Sequence, residues 1–176
     1  MTDSIYNISA SRFLAILQEH HMEFVVTVPD WMQLALHQQL EARDSGIRQL
    51  MCCNEDQAIA VAAGLHMANR RVMVMIQNQG FYACINTIRA IGIDAGLPLV
   101  MLIGQFGREE ANFGQPATAS TRNTVRLLEP VMTALGVRFW NIDSEADLGA
   151  IGDALKQAEQ HGAPVALNVG APMAWA

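Results

Sequence analysis

Residues 50–81 read LMCCNEDQAIAVAAGLHMANRRVMVMIQNQGF, and this stretch decides the fold. An apolar run ending at Cys53 predicts a strand, the alanine-rich segment from Glu55 to about Asn69 predicts a helix, and Val72 to Ile76 predicts a second strand. Gln77 to Gly80 predicts a turn that closes this strand-helix-strand unit. The carboxylate of Glu55 follows the first strand directly, and the carboxyl ends of parallel strands are where open α/β sheets bind ligands.

The rest of the chain repeats this alternation of strand and helix. The other predicted strands are Phe24 to Val28, Leu97 to Ile103, Val137 to Trp140 and Val165 to Val169. The other predicted helices run from the Ser9-Ala10-Ser11 cap to about His20, from Trp31 to about Ala42 with Asp30 as N-cap, from about Phe81 to Ile91, from about Val125 to Leu135, and from about Glu145 to Gln160 after Ser144. Because the strands are largely apolar, we predict a single α/β domain over residues 1–176, with a six-stranded, mostly parallel sheet and helices on both faces.

Composition excludes several classes of function. The 176 residues are 51% hydrophobic and 16% charged, with a formal net charge of -6, so no basic stripe is present for nucleic-acid binding. No apolar run reaches the roughly 20 residues that a membrane span needs, and residues 1–13 do not resemble a signal peptide, which predicts a cytoplasmic protein. The three cysteines predict reduced thiols rather than disulfides or a metal site. The low charge content indicates either an apolar contact with another subunit or a large buried core.

The motifs of many self-contained enzymes are absent from the sequence: G-x-G-x-x-G after the first strand, a Walker loop, H-E-x-x-H and G-x-S-x-G. Polar residues at strand ends remain, and each has an ordinary structural explanation. Asp30 is most simply a helix cap, Glu55 a first-turn acid that complements the helix dipole, and His66 a core or interface histidine. Taken singly, these structural explanations are the stronger ones.

Residues 104–123, GQFGREEANFGQPATASTRN, form a predicted long loop with three glycines, one proline and no periodicity. Loops of this length inside a compact domain are usually functional or disordered. This one leaves the carboxyl end of a buried strand, so we favour a functional loop.

Taken together, the polar residues resemble a known family. Residues 54–58 (NEDQA), 62–64 (AAG), 71–76 (RVMVMI) and 77–80 (QNQG) closely resemble the pyrimidine-binding domain of thiamine diphosphate-dependent 2-oxo acid decarboxylases. Residues 28–30 (VPD) and 96–100 (GLPLV) match the same domain. The resemblance covers nearly the whole chain and is strongest to the α-subunits of sulfopyruvate decarboxylase and the corresponding part of phosphonopyruvate decarboxylase.

The resemblance implies roles for five residues. Glu55 would hydrogen-bond the ring nitrogen of the cofactor's aminopyrimidine, while Gln79, Gly80 and Phe81 would face the pyrimidine, with glycine permitting close approach. Asp30 lies one residue from the position where some relatives keep an acidic proton-transfer residue, which makes it a second catalytic candidate.

The resemblance also implies a partner. The family holds Mg²⁺ and the diphosphate with Gly-Asp-Gly and a downstream asparagine, and this sequence lacks that motif. A separate β-subunit would therefore carry the diphosphate-binding domain and the Mg²⁺, with no metal ligand from this chain, and the site would be completed at the subunit interface.

The implied substrate is a small 2-oxo acid, with Gln105 and Arg108 as candidate substrate residues. Arg108 or Arg122 could hold a sulfonate, a phosphonate or a second carboxylate, whereas the aromatic side chains near them would equally suit an apolar 2-oxo acid. These aromatic residues are Trp31, Phe106 and Phe113. The alternative functions are a carboligase or lyase subunit of the same cofactor class and a non-catalytic binding or regulatory module of the same fold.

Overall fold

A six-stranded sheet in which every neighbouring pair is parallel forms the centre of the structure, a computed structural model that describes residues 6–175. Its strands are β2 (Phe24–Thr27), β3 (Arg48–Met51), β4 (Val72–Gln77), β5 (Val100–Gly104), β6 (Arg138–Ile142) and β7 (Val165–Val169). Two short segments, β1 (Ile8–Ser9) and β8 (Met173–Ala174), pair separately. The order across the sheet is β3-β2-β4-β5-β7-β6. The chain thus steps outward from β2 to β3 and returns to β4 on the other side of β2, which opens a crevice at the carboxyl ends of β2 and β4.

The connections between strands are helical. The α-helices are α1 (Ala10–Glu19), α2 (Leu34–Glu41), α3 (Glu55–Met67), α4 (Asn78–Ala83), α5 (Ile85–Thr87), α6 (Asn123–Arg126), α7 (Leu128–Leu135) and α8 (Ala150–His161). A π-helix spans Ile88–Asp94, and single 3₁₀ turns span Trp31–Gln33, Glu110–Asn112, Ala117–Ala119 and Glu145–Asp147.

Two hydrophobic cores lie on opposite faces of the sheet. Helices α1, α2 and α8 cover one face, and α3, α4, the π-helix and α7 cover the other. In β4, Met73 and Met75 enter the first core while Val74 and Ile76 enter the second. This explains why the strand reads as a continuous apolar run, because both of its faces are buried. The predicted α/β class with a parallel sheet and helices on both faces is confirmed.

Helix caps predicted from the sequence are present at Ser9 and Ser144, and the structure adds one at Asn54. The Ser9 hydroxyl accepts a hydrogen bond from the Arg12 backbone N–H, and the Asn54 side chain caps α3 by accepting from the Gln57 N–H at 2.8 Å. Ser144 and Asp147 form a capping box before α8. The Asn54 cap fixes Glu55 as the first residue of α3.

The segment after β4 differs from the prediction. Residues 77–80 were expected to form a turn, but α4 begins at Asn78 and the helical segment continues, through the π-helix, to Asp94. Gly80 lies within α4, where its lack of a side chain makes room for Glu55 and no reversal of the chain occurs. The strand predicted from Leu97 begins only at Val100, since Pro98 has no N–H to donate to a sheet.

Candidate active site

The polar residues singled out from the sequence gather at the carboxyl edge of the sheet, called here the ligand edge. Asp30 follows β2, Glu55 follows β3, Asn78 follows β4 and Gln105 follows β5. The crevice between β2 and β4 lies in the middle of this row. The topology therefore brings these four residues to one edge, as their positions after strands predict.

Glu55 is half-buried at the start of α3 and packs against Gly80. A Cβ atom at position 80 would lie 2.3 Å from Glu55 Oε1 and 2.4 Å from its Cγ, so only glycine leaves room for this side chain. Among residues 6–175, no donor hydrogen-bonds the Glu55 carboxylate, whereas its neighbour Asp56 accepts from the Thr87 hydroxyl. Glu55 is therefore a positioned carboxylate that remains free to meet a ligand.

The three predicted cofactor contacts after β4 lie in different environments. Gln79 is exposed and Gly80 is buried under Glu55. Phe81 has 0% exposed surface and packs in the core between α3 and the sheet. In the described structure the enclosed Phe81 side chain supports the site from the core, and the contact expected between Phe81 and a pyrimidine stays a prediction.

Asn78 is a site residue whose importance the sequence did not reveal. Its amide nitrogen donates to the Phe106 carbonyl at 3.0 Å and to the Thr124 carbonyl at 3.1 Å, and its oxygen accepts from the Gln79 N–H. These bonds join the start of α4 to both ends of the 104–123 loop. The only signal in the sequence is an asparagine directly after a buried strand.

Asp30 is 1% exposed and belongs to a buried polar cluster. Its Oδ1 accepts from the Met32 N–H at 3.1 Å, as a helix cap does, and its Oδ2 accepts from Gln33 Nε2 at 2.6 Å. Burial raises the pKa of Asp30 to about 6, although the hydrogen bonds from Met32, Gln33 and Gln77 act in the opposite direction. The predicted cap is confirmed, and the carboxyl is one that can change protonation near neutral pH.

The Asp30 cluster extends to His37, which the sequence did not single out. The Asp30 N–H donates to His37 Nε2 at 3.1 Å, so the imidazole proton lies on Nδ1 and points to Gln49 Oε1 at 2.9 Å. Burial lowers the pKa of His37, which keeps the ring neutral. On the other side, Gly104 leaves space for the carboxylate, since a Cβ there would lie 1.7 Å from Asp30 Oδ2.

The predicted substrate-binding role of Arg108 stays a prediction, and its contacts within the chain are extensive. The guanidinium is 1% exposed and forms an ion pair with Asp143 at 2.6 Å. It also donates to Asn112, to the Gln115 carbonyl and, at 3.0 Å, to Gln105 Oε1. Because these partners occupy the guanidinium, Arg108 organises the loop and has no free donor edge for a substrate anion. Gln105, also 1% exposed, accepts one of these hydrogen bonds, and its contact with a substrate stays a prediction.

Two further contacts fix the loop. The Glu109 carboxylate accepts from the Ser120 hydroxyl at 2.7 Å and from the Thr121 N–H at 2.7 Å. The Thr121 N–H, followed by the Ser120 hydroxyl, lowers the pKa of Glu109 to about 2. The predicted functional loop is therefore an ordered element with its own hydrogen bonds.

Several exposed side chains near the ligand edge are apolar. Trp31 is 69% exposed, Met51 56% and Phe106 39%. Phe113 instead packs edge-on against Tyr6 and beside the Arg108 guanidinium. Arg122 is exposed, and within residues 6–175 it forms no ion pair.

Other parts of the described structure offer weaker candidates. In residues 6–175 no group of three or more His, Cys, Asp or Glu is placed to hold a metal ion. No helix in the same part of the chain is long and apolar enough to cross a membrane. A cavity of about 170 Å³ lies at the opposite edge of the sheet beside Arg70 and Arg71, but both arginines are paired with glutamates.

Comparison with known proteins gives three findings. The family profile described as thiamine pyrophosphate enzyme, N-terminal TPP binding domain, matches residues 9–127. Sulfopyruvate decarboxylase subunit alpha from Methanothermobacter thermautotrophicus is 26% identical over 125 residues, which are 69% of this chain and 74% of that protein. The crystal structure of benzoylformate decarboxylase from Polynucleobacter necessarius matches with a TM-score of 0.71 at 19% identity, over 92% of this chain and 29% of that chain. The last match shows a shared fold, and this chain spans less than a third of that larger protein.

Proposed function

This chain belongs to the thiamine pyrophosphate enzymes, as their N-terminal TPP-binding domain, and from that premise we propose that it is the α-subunit of a thiamine diphosphate-dependent 2-oxo acid decarboxylase. The proposal takes residues 1–176 as one pyrimidine-binding domain. The relative named sulfopyruvate decarboxylase subunit alpha supports both the reaction class and the assignment as a subunit.

The observation that carries the proposal is the free carboxylate of Glu55. It is held against Gly80 without a hydrogen-bond donor from the described part of the chain. A half-buried carboxylate without such a partner fits the ring nitrogen of an aminopyrimidine, which can share a proton with it. The exposed Gln79 amide, one residue before Gly80, offers a second polar group on the same side.

The chain's residues divide the work as follows. Thiamine diphosphate supplies, when bound, the carbon nucleophile that 2-oxo acid decarboxylation requires. Glu55 would hold a proton at the pyrimidine nitrogen, and Gly80 would keep the carboxylate in place. Asp30 would exchange a proton near the reacting carboxyl group, which its position at the β2–β4 crevice and its raised pKa support.

The diphosphate and Mg²⁺ would be held by a separate β-subunit. The sequence lacks the family's Gly-Asp-Gly motif, and the described residues provide no metal-ligand cluster. The exposed apolar side chains at the ligand edge, Trp31, Met51 and Phe106, are suited to burial under such a partner. The three unpaired cysteines agree with the proposed cytoplasmic location.

The proposed substrate is a small 2-oxo acid, and of the two candidate arginines, Arg108 and Arg122, we favour Arg122 for binding a distal sulfonate or phosphonate. Arg122 is exposed, and the Ser120 hydroxyl accepts its backbone N–H at 3.0 Å. In the reconstituted enzyme, Arg122→Gln should raise KM for sulfopyruvate and leave KM for pyruvate nearly unchanged, because only the first substrate loses a charge-assisted bond. Arg126→Gln, on the exposed side of α6, is the matched control.

The test of the function is Glu55→Gln in the complex of this chain with its β-subunit. Deuterium exchange at the cofactor's reactive carbon and CO₂ release should both slow by at least about 10²-fold, because a neutral amide cannot share a proton in the same way. Thermal unfolding should change little, since the amide fills the same space.

Asp56→Asn, in the same first turn of α3, is the control and should leave exchange unchanged. Normal exchange in Glu55→Gln at full cofactor occupancy would remove Glu55 from the mechanism. A wild-type complex that binds the cofactor but releases no CO₂ from any 2-oxo acid would favour the non-catalytic alternative, and ligation products would favour the carboligase.

A further inference from the structure

The buried cluster around Asp30 contains an unpaired acceptor. Gln33 is fully buried, and its Nε2 donates to Asp30 Oδ2 at 2.6 Å and more weakly to the Ile76 carbonyl at 3.3 Å. Its Oε1 has no donor among residues 6–175. An unsatisfied buried acceptor is costly, so its presence beside a carboxyl that can titrate calls for a physical reason.

Among the neighbours of Asp30, Gln33 is the side chain that can respond most directly to the protonation of the carboxyl group. From α2 the titratable residue is His37, which is neutral and accepts the Asp30 backbone N–H, while Glu41 acts on His37 rather than on Asp30. From β4 the uncharged Gln77 side chain hydrogen-bonds the carboxylate, and β5 contributes only Gly104. Among the described residues, no charged side chain perturbs Asp30, so its state depends on burial and on hydrogen bonds.

We propose that Gln33 is a positioning residue that holds the Asp30 carboxylate in its ionised form against Gly104 and that rotates its amide when Asp30 takes up a proton. In the ionised state the Gln33 N–H donates to Oδ2. When Oδ2 binds a proton, this acceptor is lost, and a half-turn of the amide brings Oε1 to accept the new O–H. The hydrogen bonds from Nε2 to Oδ2 and, more weakly, to the Ile76 carbonyl break, one bond from the Asp30 O–H to Oε1 forms, and the proton, supplied by solvent or ligand, stays on Asp30.

In this proposal Gln33 Oε1 is unpaired while Asp30 is ionised and accepts a hydrogen bond when Asp30 is protonated. Gly104 is part of this device, because any side chain at that position would displace the carboxylate from the Gln33 amide. The pairing itself needs no cofactor. Its catalytic consequence, a proton exchanged at the ligand edge near neutral pH, rests on the proposed function.

The direct test is the carboxyl titration of Asp30 in the full chain, followed by ¹³C NMR. Gln33→Met keeps the volume and removes the donor, so the pKa of Asp30 should rise by about one to two pH units, as expected for one lost charge-assisted hydrogen bond. Gln38→Met, on the exposed side of α2, is the control and should leave the titration unchanged. An Asp30 titration that is the same in wild type and in Gln33→Met would overturn the proposal.

A second measurement covers the case in which Gln33→Met does not fold. In wild type, the side-chain amide resonances of Gln33 should titrate with the same midpoint as Asp30, near pH 6. In Asp30→Asn, where an amide N–H can donate to Gln33 Oε1 at every pH, these resonances should stop responding. Gln33 amide chemical shifts that stay constant while Asp30 titrates would also contradict the pairing.

In the assembled enzyme, Gln33→Met should shift the acid limb of the pH profile of kcat/KM to higher pH, by the same number of pH units as it raises the pKa of Asp30 in the NMR titration. The NMR titration tests the positioning role of Gln33, and the pH profile tests its consequence for the proposed decarboxylase reaction. Normal coupling of Gln33 to Asp30 in a complex without decarboxylase activity would contradict the proposed function and leave the positioning role standing.

Discussion

At the scale of single residues, Arg108 is a charged side chain whose hydrogen-bonding groups are all used within the fold. Its ion pair with Asp143 passes close to the backbone of Gly170, where a Cβ would lie 1.8 Å from Asp143 Oδ1 and 2.0 Å from the Arg108 guanidinium. The sequence could not distinguish this arrangement from a free substrate-binding arginine, because the partner lies 35 residues away. The pairing is a property of the assembled sheet.

Arg108→Ala should therefore lower the stability of the fold more than it changes substrate affinity. Removing one partner leaves Asp143 with an unpaired charge in a largely buried place, which costs about 3 kcal/mol in the free energy of unfolding. Arg12→Ala breaks the exposed pair of Arg12 with Glu145 and should cost less than about 1 kcal/mol. Urea unfolding of both variants makes the comparison, and equal small losses would contradict the structural role.

Asp30 gives a prediction for pH. Its pKa is raised by burial to about 6, above the ordinary value of 3.8, so the folded state binds the proton more tightly than the unfolded state. Its contribution makes the fold less stable as pH rises from about 4 to 6, by roughly 2–3 kcal/mol, and this loss persists above pH 6.

Asp30→Asn should remove this part of the pH dependence, and unfolding curves of wild type and variant at pH 4 and pH 7 measure the difference. The free energy of unfolding of Asp30→Asn relative to wild type should increase as pH rises from 4 to 7. A difference independent of pH would show that the buried carboxyl does not titrate in this range.

At the scale of elements, α4 and α3 meet through one glycine. The sequence identified Gly80 as a close-approach position, but it indicated a turn and a ligand contact rather than a helix that receives the Glu55 side chain. Continuous apolar runs located β2, β4 and β7 well, because their residues are buried on both faces, whereas β5 was predicted to start three residues too early. Strands β1 and β8 were missed, since a two-residue pairing between the ends of the described chain leaves no local pattern.

Gly80→Ala should disturb the site without unfolding the domain. The added methyl group would overlap the Glu55 carboxylate and Cγ, so the side chain must leave its position, and thiamine diphosphate-dependent activity of the complex should fall at least about tenfold. Gly64→Ala in α3 meets nothing within 4 Å and should stabilise the helix by about 0.5–1 kcal/mol with activity unchanged. Similar activity in both variants would argue against the Glu55–Gly80 contact as part of the site.

At the scale of the whole molecule, the ligand edge combines polar groups with exposed apolar side chains, and in the proposed function it offers one half of a cofactor site. The Glu55 carboxylate and the exposed Gln79 lie at this edge, while the described residues hold no cluster for a metal ion. The family and the fold could be inferred from the sequence because the motif residues are contiguous. The roles of Asn78, Gln33 and His37 could not, because their partners come together only through the sheet order.

If the site is divided as proposed, the isolated chain should bind thiamine diphosphate weakly and without dependence on Mg²⁺, because the groups that match the diphosphate charge would lie on the partner. Isothermal titration calorimetry with and without the β-subunit is the measurement. Adding the β-subunit should tighten binding by several orders of magnitude in the presence of Mg²⁺. Tight, Mg²⁺-dependent binding by this chain alone would contradict a site divided between two subunits.

The ion pair between Arg108 and Asp143 also dictates an order of events during synthesis. Glu55, Gly80 and the strands β2, β3 and β4 around them leave the ribosome first. The loop after β5 must wait, because Arg108 needs Asp143 and the Gln105 N–H needs the carbonyl of Val169, near the end of the chain. Asp143 follows β6, which joins the sheet by pairing with β7. We therefore expect nascent chains that stop before β7 to contain the Glu55 carboxylate but no ordered loop beside it. Pairing with a partner subunit would then begin only once translation of this chain is nearly finished.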